Sequence, residues 1–221
     1  MRVKLMRNIL EDNDTARHKN SKQFEKAGVL ALDFLGSPGS GKTSVLERVI
    51  ETLNATDLRI KVIEGDVASA NDAERIEAAG AEAFQVNTGG GCHLHAGMVT
   101  RALKTLRLEE MDILLIENVG NLVCPAAFPL GAHLRVVVAS VPEGDDKPEK
   151  YPEAFRQAGA VILNKMDLVE HLDFDVDNFW DLAGQLSPDA AHFETSCTTG
   201  DGIHEVCQWI QRLQENVADA G

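Results

Sequence analysis

An α/β domain in three layers, with helices on both faces of a mostly parallel sheet, is the fold the sequence predicts. Two observations carry it. Apolar runs of strand length alternate with helical stretches along the chain, and those runs are nearly continuous, as in strands covered on both faces. The first run, VLALDFL, leads directly into GSPGSGKT at Gly36 to Thr43, a glycine-rich loop that opens a helix. Strand, glycine loop and helix in that order narrow the class to a P-loop NTPase.

The elements follow in order. Residues 1–27 are polar and charged, with a few apolar positions for one face of a short helix, and read as an N-terminal extension; residues 28–221 read as one domain. A helix starts at Lys42, RIKVI is the next strand, and a helix surrounds Asp72 to Ala79. AFQV, ILLIENV, LRVVVASV, AVILN and AHFET are further strand candidates. The last segment, IHEVCQWIQRLQENV, sets Ile203, Val206, Cys207, Ile210 and Leu213 on one helical stripe. There are no internal repeats.

Length and charge bound the function. A chain of 221 residues with 44% hydrophobic residues suits one medium-sized domain. The net charge is −14, and outside the first 27 residues fourteen Lys and Arg face thirty-one Asp and Glu, which argues against nucleic acid as a partner. No apolar run approaches the ~20 residues of a membrane span, and MRVKLMRNILEDND lacks a signal peptide's apolar core, so a cytosolic protein without membrane contact is expected. In a reducing compartment the four cysteines, Cys92, Cys124, Cys197 and Cys207, are core residues, metal ligands or redox groups. Cys207, on the helical stripe, reads as core.

In the glycine loop, Gly36, Ser37, Gly39, Ser40, Gly41 and Ser44 bring backbone N–H groups and hydroxyls around a phosphate. Lys42 reaches the β- and γ-phosphates, and the Thr43 hydroxyl is a Mg²⁺ ligand. Downstream, AVIL is followed by NKMD, where the Asp167 carboxylate can accept two hydrogen bonds from guanine N1–H and the N2 amino group; Asn164 and Lys165 complete the tetrapeptide. One strand further on, Ser196 and Cys197 open SCTTG, which resembles the last guanine-contacting loop of G proteins. GTP and GDP are therefore the expected nucleotides. Glu117, with Gly120 three residues later, stands where a magnesium-side carboxylate and a switch glycine belong. Asp66, at the end of EGD, can approach Mg²⁺ or orient the attacking water, although a helix N-cap is its plainer role. The two segments between the loop and Glu117 resemble the signal-recognition and metallochaperone branch of G proteins.

Cys92 and His93 follow the glycine run Gly89, Gly90 and Gly91, and Cys124 follows Gly120 by four residues. Thiolate and imidazole suit Ni²⁺ and Zn²⁺. Spacing by itself leaves metal binding open, because no paired ligand motif is present. The set GSPGSGKT, EGD, NTGGGCH, ENVGNLVCP, EGDDKPEKYP, NKMD and SCTTGDG is similar, over roughly residues 28–221, to the HypB family of hydrogenase maturation GTPases. That resemblance implies that Cys92, His93 and Cys124 bind nickel or zinc, and that GTP hydrolysis, with Lys42, Asp66 and Glu117 as its machinery, assists nickel insertion into the nickel-iron hydrogenase large subunit beside other hydrogenase maturation proteins. It also implies a GTP-stabilised homodimer, with Lys147 as a contact across it and water, His95 or the second chain completing the metal sphere. A urease- or cobalamin-type maturation GTPase and a metal reservoir are the rival readings. The chain departs from some relatives in lacking any cysteine before Cys92, in having only His18 in its extension, and in carrying Ser37 where a second lysine can stand. Because Cys124 lies just past the switch glycine, motion of the Glu117 to Gly120 segment is expected to move a metal ligand, with the glycine run letting Cys92 and His93 follow.

Overall fold

The computed structural model describes residues 2–66 and 71–220, with side chains described from Leu10 to Gly65 and from Asp72 to Asp219. Seven strands, β1 (Leu30–Gly36), β2 (Ile60–Asp66), β3 (Glu82–Asn87), β4 (Ile113–Glu117), β5 (Leu134–Ser140), β6 (Ala160–Asn164) and β7 (Ala191–Glu194), form one sheet. Their order is β3-β2-β4-β1-β5-β6-β7, and every neighbouring pair runs parallel. The helices are α1 (Arg2–Ala27), α2 (Lys42–Leu53), α3 (Asn71–Ala78), α4 (Ala96–Ala102), α5 (Cys124–Ala127), α6 (Lys147–Lys150), α7 (Pro152–Arg156), α8 (Val176–Leu186) and α9 (Ile203–Ala220). No helix among the described residues is long and apolar enough to cross a membrane.

The central strands behave as their continuous apolar runs predict: every residue of β1, β4 and β6 is buried. The edge strands β3 and β7 differ, with alternating or partial exposure, because each has a neighbour on one side only. One face is covered by α2 and α9, whose Val45, Leu46, Val49 and Ile50 meet Ile203, Val206, Cys207 and Ile210 over the sheet. Each such aliphatic side chain contributes roughly 1.5–3 kcal/mol on burial. Leu213, also on the α9 stripe, packs only partly buried against this core.

The first helix departs from the short helix with a few apolar positions on one face that was expected. It runs for 26 residues and buries Asn13, Asn20 and Phe24 on one stripe, the phenylalanine packing with Val29, Leu114 and Leu130.

A buried polar network lies where β1 meets its neighbours. Asn118, 1% exposed, accepts from the backbone N–H of Leu94 at 3.0 Å and of Val119 at 3.1 Å, and its Nδ2 donates to Asp33 Oδ1 at 3.1 Å. The other Asp33 oxygen faces Arg135 Nε at 3.8 Å. Arg135 in turn donates to the carbonyls of Pro125 at 3.3 Å and Ala126 at 3.4 Å and to Gln157 at 2.9 Å. Burial pushes the Asp33 carboxyl up to about 6, against the pull of Arg135 and Asn118.

Two outcomes test these features. Since the folded protein holds the Asp33 proton more tightly than the unfolded chain, the stability contribution of this group falls as pH rises from about 3.8 to about 6. Asp33→Asn removes that titration, so its stability relative to wild type should rise by ~3 kcal/mol between pH 3.5 and pH 7, at ~1.36 kcal/mol per tenfold change in proton affinity. Urea unfolding of both proteins across this range measures it, and a constant difference refutes it. At Gly202, φ is +71° and an added Cβ would lie 1.9 Å from the Glu194 carbonyl oxygen, whereas Gly28, at φ +64°, has open space. Gly202→Ala should cost at least ~2 kcal/mol more than Gly28→Ala, both carrying the left-handed strain but only one the backbone collision. Equal losses in urea unfolding would remove the collision as a cause.

Candidate functional site

In a parallel sheet the loops that leave the carboxyl ends of the strands share one edge, and that edge is where ligands bind. Here it gathers Gly36 to Thr43 after β1, Glu64 near the end of β2, the glycine run after β3, Glu117 ending β4, Asn164 ending β6 and Thr195 after β7. The sequence motifs therefore converge for a topological reason.

The glycine loop passes into α2 through Gly41, whose φ of 93° is left-handed and whose added Cβ would meet Asn164 Nδ2 at 2.4 Å. A side chain here would fill the cradle. Lys42 curls back over the loop, with Nζ 3.4 Å from the Gly36 carbonyl and 3.8 Å from Glu117 Oε1. Thr43 donates to the same carboxylate oxygen at 2.9 Å. The Ser37 carbonyl accepts from the Ser40 N–H at 3.2 Å, and Ser44 Oγ accepts from Arg75 at 3.0 Å. The loop borders a cavity of about 650 Å³ lined by Lys42, Thr43, Glu64, Asp72, Arg75 and Glu117.

Within it Glu64 and Glu117, opposite each other in the β2–β4 register, share a hydrogen bond in a buried setting. Burial, followed by the neighbouring carboxylate, pushes Glu64 well above the ordinary range. Ser40 Oγ, Glu64 Oε2 and Glu117 Oε2 are buried without hydrogen-bond partners among the described residues. Unmet hydroxyl and carboxylate oxygens beside a threonine hydroxyl and a lysine fit a hydrated Mg²⁺ and a phosphate chain. Glu64 and Arg75 were missed by the sequence reading, which took the last carboxylate of EGD; Glu64, two residues before Asp66 and so on the same face of β2, was the available signal, and Arg75 had none. The Asp66 side chain lies outside those described.

Across the cavity, the base-side residues are tied to the loop. Asn164 donates to the Ser40 carbonyl at 3.1 Å and accepts from Thr195 Oγ1 at 3.2 Å and from the Cys197 thiol at 3.5 Å. Lys165 is left-handed at φ 63°, the one non-glycine residue so placed among those described, and its Nζ donates to the Gly39 carbonyl at 2.6 Å. Asp167 is exposed and accepts from Ser196 Oγ at 2.6 Å, which also accepts from the Thr199 N–H at 3.2 Å. A carboxylate braced from one side keeps acceptor capacity for two donors.

The ligand atoms of Cys92, His93 and Cys124 all lie within 4.8 Å of one another. Cys92 is exposed, and the other two are half-buried. Its hydrogen bond to Cys124 pushes the Cys92 thiol up, and burial lowers His93. The His93 ring stacks on Phe128 with centroids 4.2 Å apart, which fixes its plane. His95 does not join the cluster; it occupies the residue before α4. Two side chains link the cluster to the nucleotide loop. Asn121 bridges to Gly36 through an antiparallel backbone pairing and donates to the Cys92 carbonyl at 3.4 Å, and Asn118 receives the Leu94 N–H. Lys147 is not an exposed contact: it is buried, paired with Glu143 at 2.8 Å and set 4.8 Å over the Tyr151 ring.

With this geometry established, comparison with known proteins gives a consistent result. Residues 31–194 match the family model of the CobW/HypB/UreG nucleotide-binding domain. The hydrogenase maturation factor HypB of Rhizobium leguminosarum bv. viciae is 48% identical over 209 residues, covering 95% of this chain and 70% of the relative. The crystal structure of HypB from Helicobacter pylori in complex with nickel superposes with a TM-score of 0.87 at 38% identity, covering 93% of this chain and 96% of that one. The signal recognition particle 54 kDa protein of Aeropyrum pernix, 16% identical with a TM-score of 0.59, shares the fold alone. The chain belongs to the CobW/HypB/UreG family of nucleotide-binding proteins and, within it, to the HypB hydrogenase maturation factors.

Proposed function

We infer that this protein is a GTPase that carries nickel and releases it during maturation of nickel-iron hydrogenase, with the state of the nucleotide transmitted to the metal ligands. One observation carries this reading: a phosphate cradle and a Cys-His-Cys trio share a single connecting segment, Glu117 to Cys124, in which Asn118 and Asn121 each touch the loop bearing Cys92 and His93.

In this reading Lys42 neutralises charge on the β- and γ-phosphates, and Thr43, Asp66 and Glu117 hold Mg²⁺ directly or through water. Mg²⁺, when bound, supplies positive charge to the phosphate oxygens and relieves the mutual repulsion of Glu64 and Glu117. Gly36, Ser37, Gly39, Ser40, Gly41 and Ser44 line the phosphates with N–H groups and hydroxyls, while Asn164, Lys165, Asp167, Ser196 and Cys197 form the guanine side. Cys92, His93 and Cys124 hold Ni²⁺ or Zn²⁺; the nickel complex of the Helicobacter pylori relative favours nickel as cargo. Gly120 lies against Pro38 of the phosphate loop, its added Cβ 3.1 Å from the proline ring, so a shift at the γ-phosphate reaches Cys124 through four residues of chain. Three ligands leave the metal sphere incomplete, which suits a GTP-stabilised homodimer with the metal near its interface and delivery to the hydrogenase large subunit with other maturation proteins.

The function is tested by following GTP hydrolysis and light scattering with GDP, with a non-hydrolysable GTP analogue, and with the analogue plus Ni²⁺. Dimer only with the analogue, strengthened by Ni²⁺ in wild type and not strengthened by it in Cys92→Ala, is the expected pattern. A wild type that hydrolyses no GTP refutes the reading, and one monomeric throughout at tens of micromolar refutes its dimer. Base selection gives a separate outcome. Asp167→Asn should weaken GTP by about 10- to 100-fold, as loss of a charged acceptor worth ~1.5–3 kcal/mol implies, and should favour xanthosine triphosphate. Unchanged preference in competition would place the base elsewhere.

A further inference from the structure

The first helix buries two asparagines, an unusual choice at mid-helix, where asparagine is a poor helix former whose side chain competes for the backbone. Both amides reach out of the helix. Asn13 Oδ1 accepts from the Ala96 N–H at 2.8 Å, and Asn13 Nδ2 donates to the Pro129 carbonyl at 3.0 Å. Asn20 Nδ2 donates to the carbonyls of Ala96 at 2.9 Å and Leu130 at 2.8 Å, and Asn20 Oδ1 accepts from Thr100 Oγ1 at 2.7 Å. These partners fix the amide orientations, since a backbone N–H demands the oxygen and a carbonyl the nitrogen.

The four backbone groups belong to two segments, the first residue of α4 and the stretch after α5. Ala96 lies three residues after His93, and Pro129 and Leu130 lie five and six residues after Cys124. Each asparagine therefore holds the start of α4, just after Cys92 and His93, against the stretch that follows Cys124 and α5. The second loop also passes close to the helix backbone: at Gly131, φ +89°, an added Cβ would be 2.3 Å from the Arg17 carbonyl oxygen. On the cluster's own side the two segments meet through His93 on Phe128, Asn121 on the Cys92 carbonyl and Asn118 on the Leu94 N–H, and α1 adds the ties on the far side of Ala96 and Leu130.

We propose that α1 is a clamp on the metal site: Asn13 and Asn20 are positioning residues that hold the two ligand loops at metal-binding distance, so that release of the helix opens the trio without altering any ligand. This rests on the reading of Cys92, His93 and Cys124 as the nickel site. Ordering by such supporting hydrogen bonds commonly governs metal affinity by about 10- to 100-fold.

The test uses the full chain as wild type, Asn13→Ala, Asn20→Ala and Cys92→Ala. Affinity for Ni²⁺ alone is measured by chelator competition, with the thiolate-to-nickel absorption band as the signature of the ligand set, and GTP affinity as the control for folding. Both asparagine variants should bind Ni²⁺ at least about tenfold more weakly, with a reduced band, while binding GTP within about twofold of wild type. A second readout needs no metal. In glutathione buffers of graded composition, two thiols at 4.8 Å or less form a Cys92–Cys124 disulfide as glutathione disulfide is reduced to two glutathiones, and peptide mapping reports its extent. The asparagine variants should need a more oxidising buffer than wild type. Should Asn20→Ala lose GTP binding, Asn13→Ala, which surrenders two hydrogen bonds instead of three, decides the matter. Asparagine variants with wild-type Ni²⁺ affinity and wild-type disulfide equilibrium overturn the clamp. If Cys92→Ala binds Ni²⁺ as wild type does, the nickel-site reading falls, and the disulfide equilibrium then judges whether α1 still sets the loop separation.

Discussion

The buried amide of Asn118 is the constraint on which the rest of the ligand edge depends. It stands at the exit of β4, directly after the carboxylate that faces Lys42 and Thr43, and it faces Asp33 on one side and Leu94 on the other. A fully buried amide left unpaired costs ~1–3 kcal/mol, so none of these partners moves independently of it. Through Asp33 the same network continues to Arg135 and the carbonyls of Pro125 and Ala126, immediately after Cys124. Both ligand-bearing loops thus hang from one hydrogen-bonded chain, and its midpoint is the residue that follows the nucleotide-side glutamate. Such a chain has few alternative arrangements, which is the property a two-state coupling needs.

What was legible in the sequence divides along a physical line. The phosphate loop, the NKMD tetrapeptide and SCTTG were readable because their function depends on backbone shape, and backbone shape demands particular residues at particular offsets. Gly41 is an example, with left-handed φ and an asparagine amide where a Cβ would be. The trio of Cys92, His93 and Cys124 was readable as residue types, but its closure depends on strand order, which no local pattern states. Glu64 was hidden by Asp66, since two carboxylates on one face of a strand look alike in a short acidic motif, and only the pairing of β2 with β4 sets Glu64 opposite Glu117. Asn13 and Asn20 were the least legible. Asparagines in a polar stretch look solvated, and only the presence of a partner surface at a seven-residue spacing distinguishes a buried pair from an exposed one.

The structure also concentrates its energetic costs at this edge. Asp33 is buried with its carboxyl pushed up to about 6, Glu64 and Glu117 share one buried space, and Ser40 Oγ has no hydrogen-bond partner among the described residues. The opposite arrangement holds in the layer between α2, α9 and the sheet, which is apolar throughout. Rigidity in that layer lets the ligand edge carry unmet polar groups, because the strands that present them cannot relax to satisfy one another.

The trio is lopsided: Phe128 backs the imidazole, Cys124 is half-buried with Val123 before it 63% exposed, and Cys92 is exposed. An ion seated there is covered on the protein side and bare on the other, within reach of an incoming nucleophile from another molecule. If the trio holds a metal ion as proposed, a donor from another molecule would have room to enter before Cys92, His93 or Cys124 lets go, and the cation would pass over without being free in water.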